Sequence, residues 1–265
     1  MDRETIAALG FAGLFLLLFI RVPVGLAMMA IGGLGIYMIR PPAALPVIAG
    51  EIFGEAANYP LTILPLFILM GNLAGVSGMS RDLYDAAHSW FGHMKGGLAS
   101  ATIVGCAGFS ALSGSSLAAA LTMGRVSRPQ MQRYNYDNGL ATGAIAAGGT
   151  LGILIPPSAG FVVYAILTEE SIGRLFMAGV LPGLLLTSLF ILAIWIVVLR
   201  KPAYAPQSAD RVALPERFRA LGRASWIVGI IVLTIGGIYA GVFSAVEAAG
   251  VGALLALCVA ILRGA

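Results

Sequence analysis

The chain predicts an all-α integral membrane protein, a polytopic helical bundle, on three observations. Hydrophobic residues make up 59% of it and charged residues only 11%, well outside the range of an ordinary globular domain. Apolar runs of membrane-crossing length recur from end to end, separated by short charged stretches. Strand-like alternation is absent and Leu, Ala, Ile and Gly dominate the runs, which argues against a β-barrel. Because later runs match the first, the first does not read as a removable signal peptide before a soluble domain.

Taken in order, spans are expected at about 5–20, 24–39, 61–78, 138–167, 173–199, 225–243 and 246–262, with an unusual run at 97–124. Two amphipathic stretches, "LPVIAGEIFGEAAN" at 45–58 and "SRDLYDAAHSWFGHMKG" at 80–96, suit the membrane interface. His88 and His93 lie in the second, but five residues on a helix do not bring two imidazoles to one face, so Trp90 and its neighbours read as interfacial anchors rather than a metal site. Cys106 and Cys258 fall inside apolar runs and read as small buried side chains.

The run at 97–124, "GLASATIVGCAGFSALSGSSLAAALTMG", would extend about 42 Å as one straight helix, beyond a hydrocarbon core of about 30 Å. Its centre carries Ser113, Gly114, Ser115 and Ser116. Hydroxyls in lipid need partners, so a re-entrant hairpin with its tip at 113–116 is expected. A single tilted helix whose serines bond back to the preceding turn is the alternative. The second interruption is "GGTLGILIPPSAG", from Gly148 to Gly160. A helix through Pro156 and Pro157 would deprive the carbonyls of Gly152 and Ile153 of their donors, and Gly148, Gly149 and Gly152 permit close backbone approaches. The spacing predicts unwinding around Gly148 to Gly152 and at the prolines, lining a cavity. A mechanical kink satisfied by neighbouring helices is the alternative.

Charge placement is a partial test of the hairpin and of the orientation. With the hairpin entering and leaving on one side, every Lys and Arg except Arg3, Arg40 and Arg174 falls on the cytoplasmic side, including Arg211, and the N-terminus is periplasmic. A straight-through helix with the protein inverted satisfies the rule nearly as well. The net charge of +4 sits in the connections between spans, as orientation signals do, so nucleic acid is not an expected partner.

Four blocks, "GFSALSGSSLAAALTMG", "RPQM", "NGLATGAIAAGGTLGILIPPSAGFVVYAI" and "SIGRLFMAGVLPGLLL", together resemble the large membrane subunit of the tripartite ATP-independent periplasmic (TRAP) transporters, the dicarboxylate-type large permease. The resemblance runs from about residue 20 to the end. A further block, "GGIYAGVFSAVEAAGVGA" at 236–253, is similar to the segment that opens the family's second, inverted repeat, with Ser244, Ala245 and Val246 where a threonine-proline-threonine run is usual. Family members continue through a second hairpin and a second broken helix, so this chain resembles the first half and the entry to the second.

The resemblance implies an elevator-type transporter with inverted repeats, importing carboxylates with sodium across the bacterial inner membrane. It implies a small membrane subunit and a periplasmic solute-binding protein as partners, and no cofactor beyond Na⁺ as coupling ion. On this reading residues 1–92 hold scaffold spans and amphipathic helices. Residues 93–170 belong to the transport domain, with the hairpin at 97–124 and the broken helix at 138–167; 171–224 hold a span and a basic cytoplasmic loop, and 225–265 begin the second repeat. Oxygens of Ser113, Gly114, Ser115 and Ser116 would meet those of Gly148, Gly149, Thr150 and Gly152 to cage Na⁺, while Ser116, Thr150, Pro156 and Pro157 would face the substrate. Neither break contains a carboxylate, which suits a monovalent rather than a divalent ion. Asp137 is expected to cap a helix, and Glu247 to serve packing or gating.

Other classes fit less well. No repeated filter sequence suggests a channel, and no Gly-x-Ser-x-Gly or His-Glu-x-x-His motif suggests an enzyme. The strongest alternative is a truncated or scaffold membrane protein without transport activity of its own, its small residues serving close helix packing.

Overall fold

The computed structural model describes residues 2–206 and 212–264, so Arg211 lies outside the described residues, as does the side chain of Arg3. Among the described residues the chain is helical with no strand. It divides into two compact units, Met1–Tyr59 and Pro60–Ala265.

In the first unit α1 (Arg3–Phe19) and α2 (Val24–Ile39) form a hairpin, followed by α3 (Pro41–Ala56). The turn is closed by Val22 N–H donating to Leu17 O and Arg21 N–H to Leu18 O, with Arg21 in the left-handed region at φ 67. Gly10 and Gly13 lie against Ile31. Pro41 opens α3, where its missing N–H costs nothing. Phe11, Leu16 and Phe19 are exposed, as expected of helices bathed in lipid.

The second unit contains α4 (Ile63–Val76), α5 (Met79–Phe91), α6 (Gly97–Ser113), α7 (Ser116–Arg133), α8 (Asn138–Leu154), α9 (Ala159–Thr168), α10 (Ile172–Arg200), α11 (Leu214–Arg223), α12 (Ser225–Tyr239) and α13 (Ala245–Leu262). Its centre is α6, buried along nearly its whole length. Gly, Ala and Ser recur in α6, and such small side chains let neighbouring backbones approach closely where lipid offers no hydrophobic drive. One core gathers Phe67 and Met70 of α4, Phe109 and Leu112 of α6, Met123 of α7, Phe176 of α10, Ile230 of α12 and Ala253 of α13. A second joins Leu98 and Ile103 of α6, Met131 of α7, Leu151 of α8, and Ile194 and Val198 of α10.

The expected run at 97–124 is a helical hairpin, and its second leg is longer than the apolar pattern suggested, continuing to Arg133. Asp137 caps α8 as expected, its Oδ1 accepting from Leu140 N–H at 3.0 Å. Glu247 completes a capping box at the start of α13: Ser244 Oγ accepts from Glu247 N–H, and Glu247 Oε2 accepts from Ser244 N–H at 2.7 Å. The other end of α13 is tied by Arg263, whose Nη1 lies 2.6 Å from Asp82 Oδ2. Cys106 is buried, but Cys258 is exposed. A cysteine in an apolar run can face lipid as readily as core.

Among the described residues four helical stretches, Tyr59–Val76, Asn138–Thr168, Ile172–Arg200 and Ala245–Leu262, are long and apolar enough to cross a membrane, and α11 with α12, bent by 54°, would make a fifth if the bent pair is one span. The apolar helices α1, α2 and α6 are shorter. The basic stretch before α12, read from sequence as a loop, contains α11.

Candidate functional site

Ser113 ends α6, and Gly114 reverses the chain at φ 59, a left-handed conformation in which a side chain is strained. Gly114 N–H donates to Ser110 O at 3.0 Å, closing the helix. Ser115 is extended and caps α7: its Oγ accepts from Ala118 N–H at 3.3 Å and its carbonyl from Ala119 N–H at 3.0 Å. The whole turn is therefore Gly114–Ser115, with Ser116 already helical.

The second interruption is shorter than the sequence suggested, and this corrects one expectation. Gly148, Gly149, Thr150 and Gly152 are all helical, and α8 continues to Leu154 before breaking at Ile155–Ser158. The glycines serve contact rather than unwinding. A Cβ on Gly152 would stand 2.7 Å from Ser116 N, one on Gly149 2.7 Å from Ala120 Cβ, and one on Gly148 2.7 Å from Cys106 Sγ. Thr150 is exposed, and its hydroxyl donates to Ala147 O at 2.7 Å. Pro156 and Pro157 are buried. The carbonyl of Ile153, which proline deprives of its helical donor, instead accepts from Ser158 Oγ at 2.6 Å.

The two interruptions meet. Ala159 N–H, at the start of α9, donates to Gly114 O at the hairpin tip at 3.1 Å. A Cβ on Gly114 would fall 2.6 Å from Pro157 O. Four helix ends thus converge: the C-termini of α6 and α8, and the N-termini of α7 and α9. C-termini carry partial negative charge and N-termini partial positive charge, so one junction offers both a cation-attracting and an anion-attracting side.

One hydroxyl missed at the sequence level, that of Ser110, joins the expected Ser113. Ser110 and Ser113 are buried, and neither Oγ has a hydrogen-bond partner. Lone buried hydroxyls are costly unless something else supplies a contact. Ser110 stands one turn before Ser113 in "FSALS", and that helical spacing was the available signal. Ser113 is pressed against α4, where a Cβ on Gly71 would meet its Cβ at 2.6 Å. Neutral oxygens and helix C-termini without carboxylates are suited to a hard monovalent cation. The structure therefore brings Ser113, Gly114, Ser115 and Ser116 together with Gly149, Gly152 and Pro157, places Gly148 against α6, and leaves Thr150 exposed with its hydroxyl on its own helix.

The family model described as "Tripartite ATP-independent periplasmic transporter, DctM component" matches residues 11–264. The chain is 40% identical over 224 residues to a C4-dicarboxylate TRAP transporter large permease of Pseudomonas aeruginosa, covering 84% of this chain and 52% of that protein. It is 33% identical over 242 residues to a sialic acid TRAP transporter large permease of Vibrio cholerae, covering 91% and 56%. An isethionate TRAP transporter permease of Oleidesulfovibrio alaskensis is 34% identical over 252 residues, covering 94% and 39%. The chain spans about half the length of the first two relatives and less of the third.

Proposed function

The chain belongs to the DctM-component family of tripartite ATP-independent periplasmic transporters, and from that premise we propose that it supplies the first hairpin and first broken helix of a sodium-coupled permease for organic anions. The single observation that carries the proposal is the meeting of Gly114 O with Ala159 N–H beside the unpartnered hydroxyls of Ser110 and Ser113. In this reading Ser110, Ser113 and backbone oxygens of the tip hold Na⁺, and the N-termini of α7 and α9 draw the anionic group of the substrate. Relatives named for C4-dicarboxylates, sialic acid and isethionate share an acid group, so the substrate class is a small organic acid delivered by a periplasmic binding protein.

Further parts of the reading follow from the family. A small membrane subunit accompanies the permease, and the protein resides in the inner membrane with its N-terminus periplasmic. Residues 93–170 move with the transport domain against a scaffold that includes residues 1–92, and 225–265 open the second repeat. The likeness to proteins named as transporter permeases favours transport over catalysis.

The test is uptake of labelled organic acids into proteoliposomes containing the complete gene product, its small subunit and its binding protein, with and without an inward sodium gradient. Sodium-stimulated uptake that falls in Ser113→Ala is expected. No uptake of any organic acid, or uptake indifferent to sodium, overturns the proposal.

A further inference from the structure

Residues 214–223, which the sequence presents as a basic connection, form a helix with two unlike faces. At about 100° per residue, Leu214, Phe218 and Leu221 fall within about 60° of one another, and all three are exposed, Phe218 by 61%. Glu216 and Arg223 lie on the opposite side. The helix is held in place by α5: Ala220 is buried with Ala86 and Ala224, and Trp90 meets Phe218 edge to face with ring centroids 5.9 Å apart. Trp90 and Trp226 are themselves exposed, as aromatic side chains are at a lipid boundary.

Charge and direction identify what covers this face. Asp85, His88, Glu216, Arg219 and Arg223 line a cavity of about 440 Å³ between α5 and α11, which marks that side as wet. Arg217 is braced by donating from Nε to Val212 O at 2.9 Å, so α11 carries three guanidiniums against one carboxylate. The 54° bend between α11 and α12 turns the helix away from the span that follows. An apolar stripe backed by arginines, leaving the axis of a span and edged by Trp90, has the features of a helix lying in the plane of an anionic bilayer surface.

We propose that α11, with Trp90, is a docking surface for acidic phospholipid: Leu214, Phe218 and Leu221 enter the acyl boundary while Arg217, Arg219 and Arg223 hold phosphate headgroups. The contact is independent of transport and persists in a protein that carries nothing.

The test follows Trp90 fluorescence in the reconstituted chain carrying Trp195→Phe and Trp226→Phe. Vesicles contain brominated phosphatidylglycerol or brominated phosphatidylcholine at equal bromine content. Quenching about two-fold stronger in the anionic vesicles is expected, with the excess lost in R217Q/R219Q/R223Q and kept in the corresponding triple lysine variant. In the arginine-intact protein the excess also shrinks as salt rises, which tests the proposal without touching the fold. Equal quenching by both lipids overturns it, because the face then takes lipid without regard to charge. No quenching by either also overturns it, because the face is then covered by protein, whether another subunit or a second copy.

Discussion

The main-chain N–H of Ala159 donates to the main-chain carbonyl of Gly114 at 3.1 Å, joining the restart of a broken helix to the tip of a hairpin 45 residues earlier. Gly114 is at once left-handed and too close to Pro157 for a side chain. Gly114→Ala should therefore destabilise the chain in detergent by about 1–3 kcal/mol from backbone strain, with an added penalty for the contact at Pro157. Thermal unfolding measures it, and a melting temperature equal to that of the unaltered chain would refute the tight tip.

Ser110 and Ser113 give a prediction with two opposite signs. Leaving a buried hydroxyl unpaired costs about 1–3 kcal/mol, so Ser110→Ala/Ser113→Ala should melt no lower than the unaltered chain in potassium. If the hydroxyls hold sodium, replacing potassium with sodium raises the melting temperature of the unaltered chain and not of the double variant. An equal sodium shift in both proteins removes Ser110 and Ser113 from the ion site.

Glu247 tests capping against gating. Ser244→Ala should cost about 1 kcal/mol by removing the cap, whereas Glu247→Gln should be nearly neutral, because glutamine also closes a capping box. Uptake abolished by Glu247→Gln at unchanged stability would show that the charge has a task beyond the helix start.

The α5–α11 contact should respond to acid through His88. Burial holds its imidazole pKa below the ordinary value while Asp85 opposes the shift. Stability from the neutral imidazole is therefore complete above about pH 6.5 and is lost as pH falls toward the folded-state value. The carboxyl of Asp85, pushed up mainly by burial and opposed by Arg223 and His88, works in the other direction. His88→Gln isolates the imidazole, and its melting temperature should fall less than that of the unaltered chain between pH 7 and pH 5.5. Parallel curves would rule the histidine out.

Much of this was legible in one dimension because membrane physics is severe. Polar residues inside long apolar runs must be satisfied within protein, so "SGSS" marks a turn and "IPPS" a break in the sequence itself. The exact place of the break was not legible. Glycines at 148, 149 and 152 permit both unwinding and close packing, and only their contacts with Cys106, Ala120 and Ser116 reveal that packing prevailed. Ser110 stayed hidden because a serine within a helix ordinarily returns its hydroxyl to the preceding turn, as Thr102 does with Leu98. The capping box at Ser244 was readable from its spacing alone. Helix α11 was obscured by arginines that suggested a loop.

Ser158 carries a consequence for motion. Its hydroxyl answers the oxygen that proline strips of a donor at Ile153, so that carbonyl borrows neither water nor a neighbouring chain for its bond. Should the broken helix travel against a scaffold as proposed above, that oxygen would take its own donor along through greasy surroundings.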